Sequence, residues 1–159
     1  MISERRHLTF ASLAEVMPEV DRLLKGHRTV GQWSLGQICN HLSSSIVRSV
    51  DGFPFQAPWI FRKTIGPLML GRFLKQRKFP TGIKIPEDHR PRSGLDDRAE
   101  AEALRAAISL FGSHSGPYAE SPIAGSMTRA TWEQFHAIHC AHHLSFALPE
   151  PERSPAGRD

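Results

Sequence analysis

Cysteine is scarce. Cys39 and Cys140 are the only two, too few for a disulfide framework, and the chain reads as an intracellular one. No apolar run approaches the about 18 residues that a membrane-spanning helix requires. The first ten residues are charged and lack an apolar core of signal-peptide length. Together these absences lead us to expect a soluble, cytoplasmic protein with no membrane partner. There is no glycine-rich phosphate loop, no Gly-x-Ser-x-Gly elbow and no pair of carboxylates near the histidines, which removes phosphate-loop nucleotide hydrolysis and elbow-type serine hydrolysis from the reading. No internal repeat is present.

What is present is ordinary in bulk and unusual in one place. The 159 residues are 40% hydrophobic and 23% charged, enough for one domain with a substantial core. We expect that domain over residues 1–148, followed by a disordered tail over 149–159 that is poor in apolar side chains. The net charge of +4 permits contact with phosphates without demanding it.

Apolar spacing predicts helices throughout. Ser12 and Glu15 have the form of a capping box ahead of Leu13, Val16, Met17, Val20, Leu23 and Leu24, with Pro18 expected to kink the helix unless the helix starts there, and with Gly26 as its stop. Ser34 and Gln37 form a second box, opening a helix to about Val50 with the stripe Leu35, Ile38, Leu42, Ile46 and Val50. Phe53, Phe55, Trp59 and Phe61 are expected to anchor a proline-containing loop. From Trp59 to Phe73 the pattern is helical again, interrupted near Gly66-Pro67, and this stretch with its continuation carries Arg62, Lys63, Arg72, Lys75, Arg77 and Lys78. Residues 79–94 read as a long loop with an extended piece at Ile83–Ile85. Asp96 or Asp97 starts a helix with Ala99, Ala103, Leu104, Ala107, Ile108 and Phe111 inward and Gly112 just past its end.

The last helix, read from Trp132 to Phe146 and capped by Thr128 or Thr131, holds four of the nine histidines: His136, His139, His142 and His143. His139 and His143 lie one turn apart on one face, a spacing that lets two imidazoles share an ion once a third ligand arrives from elsewhere. His136 with His139, and His139 with His142, are also spaced as ligand pairs, so His139 belongs to every alternative. His41, at the core edge of the second helix with no acidic neighbour, is the best candidate for the third ligand. The competing reading has these histidines closing the core edge and bonding backbone carbonyls. A thiolate ligand does not fit: Cys39 lies roughly 200° round the helix from His41 and Cys140 roughly 100° from His139, so both read as small buried hydrophobes. His7, His27, His89 and His114 lie near turns or termini and are expected to be solvated.

Trp33-Ser34-Leu35-Gly36-Gln37-Ile38 followed by Asn40-His41-Leu42 resembles the second-helix signature of the DinB/YfiT-like metalloenzyme superfamily. Trp132 followed by His139-Cys140-Ala141-His142-His143-Leu144 resembles its later ligand helix. The match is closest to a branch of unknown function, runs from about Arg6 to Phe146 and includes the turn Val50-Asp51-Gly52-Phe53-Pro54. The resemblance implies an up-down-down-up four-helix bundle, here with an additional short helix and long loops, often dimeric. It also implies a divalent metal on His41, His139 and His143. Two positions depart from it: Ser145 and Phe146 stand where relatives often carry Gln, and Ser121-Pro122 stands where they often have His-Pro.

Relatives in that superfamily include thiol-dependent S-transferases and isomerases using mycothiol or bacillithiol. The function expected here is therefore a metal-dependent enzyme activating a small thiol or water, as an S-transferase or a hydrolase. His136 or His142 would act as outer-shell or proton-relay groups, and Arg62 or Arg72 would meet an anionic substrate. Zn²⁺ is the default ion, and Ni²⁺, Fe²⁺ and Mn²⁺ also suit imidazole. The alternative is a non-catalytic metal-binding or regulatory bundle. Nucleic-acid binding through residues 62–78 ranks last, because such a basic run is more often the solvated face of an amphipathic helix.

Overall fold

The computed structural model describes residues 5–79 and 90–151 of the chain. Ile83–Ile85, His89 and most of the expected tail lie outside the described residues. The protein is mainly helical. A 3-10 turn over Leu13–Glu15 leads into α1 (Val16–Leu23), and α2 (Leu35–Asp51), α3 (Trp59–Lys63), α4 (Ile65–Gln76), α5 (Asp97–Ser113) and α6 (Arg129–Leu144) follow. No helix among the described residues is long and apolar enough to cross a membrane.

Local chemistry sets most of these boundaries. Ser34 caps α2 as a true box, its Oγ accepting from the Gln37 amide at 3.2 Å while Gln37 Oε1 accepts from the Ser34 amide at 2.9 Å. The first expected box is not made: the Ser12 side chain caps nothing, and the Glu15 carboxylate accepts from the Ala11 amide instead of that of Ser12. Pro18 falls in the first turn of α1, where its missing N–H would have no helical partner in any case, so no kink is needed. Pro67 likewise sits in the first turn of α4. Its ring excludes the carbonyl four residues earlier, at Lys63, and the chain breaks at Thr64 between α3 and α4. α5 extends through Gly112 to Ser113, two residues further than the glycine suggested. α6 is capped by Thr128, which accepts from the Thr131 amide at 3.1 Å, and it ends at Leu144.

Two three-residue strands were not foreseen. β1 (His27–Thr29) pairs antiparallel with β2 (Ala147–Pro149), Arg28 opposite Leu148. Neither is long enough to show an alternating pattern, and each exists because the other lies beside it. Pro149 and Glu150, read from sequence as tail, are held by this ladder and by the Glu150 amide donating to Gly26 O at 2.9 Å.

α2 packs chiefly along α5 and also against α6. The Gly36 amide donates to the Asp97 carboxylate at 2.6 Å and Asn40 donates to Glu100, so α2 and α5 begin side by side. The Ala119 amide, beyond the end of α5, donates to Ser49 O near the end of α2. Because α2 faces two partners, its buried face is wider than one stripe and takes in Cys39, Ser43 and Ser49. On α5 the buried residues are Ala101, Leu104, Ala107 and Phe111. Ala99 and Ala103, expected inward, are exposed, and an alanine face costs little either way.

The α3–α4 arm departs most from expectation. Trp59 is 66%, Ile60 67% and Leu68 76% exposed, and Phe55 is exposed too, so of the four expected loop anchors only Phe53 and Phe61 are partly buried. The arm is attached through Gly66, where a Cβ would come within 1.9 Å of Ile123 O. That backbone-to-loop approach leaves the larger apolar side chains on the outer side. Arg62 crosses back to Glu120 at 2.6 Å.

Candidate metal centre

α2 and α6 run in opposite directions, and their contact carries two histidine clusters in succession. Nearer the end of α6, His41 Nε2 lies 3.1 Å from His139 Nε2. His143 completes the set, and one ligand atom from each of the three lies within 4.8 Å of the others. A tetrahedral ion with bonds of about 2.0–2.1 Å to nitrogen places its donors about 3.3 Å apart, close to the His41–His139 separation. The end of α6 is pinned at this position by the β1–β2 pair, by the Val30 amide donating to Phe146 O at 2.9 Å and by the Arg6 amide donating to Ser145 O at 3.1 Å.

Aromatic rings wall the trio. Trp33 stacks on His143 with centroids 5.4 Å apart and 12° between planes, and touches the edge of His41 at 5.1 Å. Phe79 stacks on His139 at 4.9 Å, and Phe135 lies 5.7 Å from the same ring. Burial is the main cause that depresses all three histidines. His41 is lowered to about 4 with help from Arg48 and His142, and His143 to about 2 with help from His41 and His142. His139 is held well below its usual range by burial and then by the other histidines. All three are neutral imidazoles at neutral pH, which is the protonation state that offers a lone pair to a metal. The donor set therefore fits a divalent ion, with one weakness: His139 Nδ1 is buried and has no hydrogen-bond partner among the described residues, whereas a ligating imidazole usually donates its other N–H.

The remaining histidines sort by geometry. His136 is fully buried one turn before His139, stacked on Trp132 at 5.2 Å, with Nε2 2.9 Å from Ser49 Oγ. The Ser49 hydroxyl donates to Ile46 O at 2.6 Å, so His136 Nε2 must be the donor to Ser49 Oγ and has no lone pair there. Burial lowers its pKa to about 3. His142 meets Arg5 at 3.2 Å and packs edge-on to His143 at 4.9 Å, beside the trio and outside it. His27 is not simply solvated: its Nδ1 bonds Leu23 O at 2.9 Å and its Nε2 approaches Asp97 at 3.5 Å. His114 Nε2 lies 3.1 Å from Pro117 O, and His7 is exposed. Cys39 and Cys140 are buried free thiols. Burial lifts Cys39 to about 12 and raises Cys140 as well, so neither offers a thiolate. Arg62 is engaged by Glu120 at 2.6 Å.

Trp33 and Phe79 are the site residues that sequence reasoning did not single out for this role. Trp33 gave a signal as the aromatic residue just before the Ser34 cap, whereas Phe79 ends a basic run and gave none. Two cavities meet at Phe79. One, of about 200 Å³, is lined by apolar side chains of α4 and α6. The other, of about 360 Å³, carries Arg5, Arg6, Arg77, Lys78 and His142. Arg6 is paired with Glu19 at 2.6 Å, and Arg77 donates to Phe10 O at 2.5 Å.

A family model described as a protein of unknown function (DUF1569) matches residues 2–150. No curated protein matches the chain, and no solved structure matches it either.

Proposed function

Taking as premise that the chain belongs to the DUF1569 family, whose function is unknown, we propose that it is a DinB/YfiT-like metalloprotein. In this reading His41, His139 and His143 hold one divalent ion, and the site activates a small thiol or water for transfer or hydrolysis. The observation that carries the reading is the convergence of three neutral imidazoles from two helices within 4.8 Å. The helix directions support the bundle topology. α2 and α5 begin together, α6 returns against α2, and α1 leads through His27 to the start of α5, as an up-down-down-up order requires.

A divalent ion on three neutral ligands retains its full charge and supplies Lewis acidity to a thiol or water. The chain's own residues do the rest. Trp33 and Phe79 fix the planes of His143 and His139 and keep bulk water off them, and His142, held by Arg5, stands beside the trio where a proton could be passed. Zn²⁺ is the default ion, and Ni²⁺, Fe²⁺ and Mn²⁺ are compatible with imidazole donors.

The test is elemental analysis of the purified chain beside a His139→Ala variant that folds. One equivalent of metal in the parent and near none in the variant is the expected result. Equal content in both defeats the assignment. A non-catalytic metal-binding module is the second reading, favoured by the unpartnered Nδ1 of His139 and by Ser145 in place of Gln. It predicts bound metal with no turnover across thiols and electrophiles.

A further inference from the structure

The apolar cavity between α4 and α6 has no evident structural purpose. It is a cleft open to solvent on one side, and concave apolar clefts lined by aromatic side chains are the usual form of small-molecule sites. This one measures about 200 Å³, and no charged side chain lines it. Its walls are Leu70 and Phe73 of α4, Trp132 and Phe135 of α6, and Phe79, with the Ser45 hydroxyl among its few polar groups. Ser45 lies one turn beyond His41 on α2, and Phe79 and Phe135 are the two rings that also pack on His139. The cavity and the histidine trio therefore share the Phe79 and Phe135 rings as a common wall, although no histidine of the trio lines the cavity.

We infer that this cavity is the substrate compartment of the proposed metal centre, and that it takes a neutral apolar group. The inference rests on the metal reading for its word substrate, though not for the binding itself. A volume of this size holds roughly a substituted benzene ring, since an apolar cavity of about 150 Å³ already accepts benzene. The lining offers nothing to compensate a charge, so a carboxylate or ammonium inside it would lose its hydration without replacement. An apolar group seated against Phe73 and Trp132 also meets the Phe79 and Phe135 rings, which pack on His139 on their other side. The cationic cleft beyond Phe79 selects the opposite chemistry, so the two cavities are separable by experiment.

Iodobenzene serves as the probe, with the full-length chain. Its binding is followed by quenching of tryptophan fluorescence and its position by the anomalous signal of iodine in crystals. Saturable binding to the parent is expected, with iodine between Phe73 and Trp132, and with affinity unchanged by benzoate in excess. Leu70→Trp is expected to weaken binding at least tenfold while metal content stays at the parent level; Leu70→Phe, a smaller change, serves if the first does not fold. His139→Ala should lose metal and keep iodobenzene. Cobalt-loaded protein should broaden the proton signals of bound toluene relative to zinc-loaded protein, which reports proximity to the centre. No saturable binding, iodine elsewhere, unaltered affinity in the filled variants, displacement by benzoate or unbroadened toluene would each overturn the inference while leaving the metal assignment standing. Apolar binding without any bound metal would instead remove the metal reading and leave a ligand cavity.

Discussion

Two histidine clusters stand one turn apart on the same helix, both buried against α2, and they differ in kind. His136 meets a hydroxyl that already donates elsewhere, so its inward nitrogen must carry the proton. Trp132 covers one of its faces and the Phe111 edge closes another. One turn later His139 meets a second imidazole instead, with His143 alongside. Burial and depressed pKa are common to both clusters. What separates them is the partner of Nε2: at His136 it is a hydroxyl that accepts its proton, while at His139 it is a second imidazole nitrogen, with a ligand atom of His143 within 4.8 Å of both. A buried, neutral histidine is therefore not in itself a ligand.

The sharpest way to break this contrast is to remove one member from each cluster. His143→Ala should weaken metal binding by more than the about 100-fold that loss of an outer-shell partner can cost, read by competition with a chelating dye. His136→Ala should leave metal content unchanged and destabilise the fold by about 3 kcal/mol, from the cavity and the lost hydrogen bond, read by chemical denaturation. Metal loss in the second variant and retention in the first would reverse the assignment.

A pH series sharpens the comparison next. His136 is lowered by burial to about 3 against a usual 6.5. As pH falls through 6.5 the unfolded chain takes up the proton first, so the stability tied to neutral His136 is full above that value. It declines as pH falls from 6.5 toward 3. The metal-free protein should lose melting temperature steadily over this window, with His41, His139, His142 and His143, also lowered by burial, adding to the decline, and His136→Phe should make it shallower by the share of one group. A melting temperature of the parent that is constant from pH 7 to 4.5 would contradict the placement of this ring. The smallest effect expected is from Trp33→Leu, which removes the ring stacked on His143 while leaving the ligands. Metal affinity should fall about tenfold by analogy with other groups that orient ligands, with little change in stability because Trp33 is only partly buried. An unchanged affinity would show that Trp33 plays no part in orienting the ligand.

Much of this was legible in the chain. Cap chemistry is local, so the starts of α2 and α5 follow from Ser34, Gln37 and Asp96 alone. Helical spacing likewise placed His139 and His143 on one face before any fold was known. Where spacing was ambiguous, as between His136, His142 and His143 for partner to His139, it stayed so, because three- and four-residue separations both bring side chains together. The β1–β2 pair was invisible because its two halves lie far apart in sequence and neither shows a pattern alone. The outward side chains of α3 and α4 misled for a related reason: an amphipathic stripe says that a face exists, not that another element covers it.

The sequence by itself determined most of the helices, the caps of α2 and α5 and a short set of imidazoles from which a centre could be built, since each depends on neighbours within a turn. Only the tertiary structure decided which imidazoles meet, which one a serine occupies, and that an apolar cavity shares the Phe79 and Phe135 rings with the trio. Those outcomes depend on the approach of α2 to α6 and of Phe79 to His139, distances fixed by packing across the whole chain.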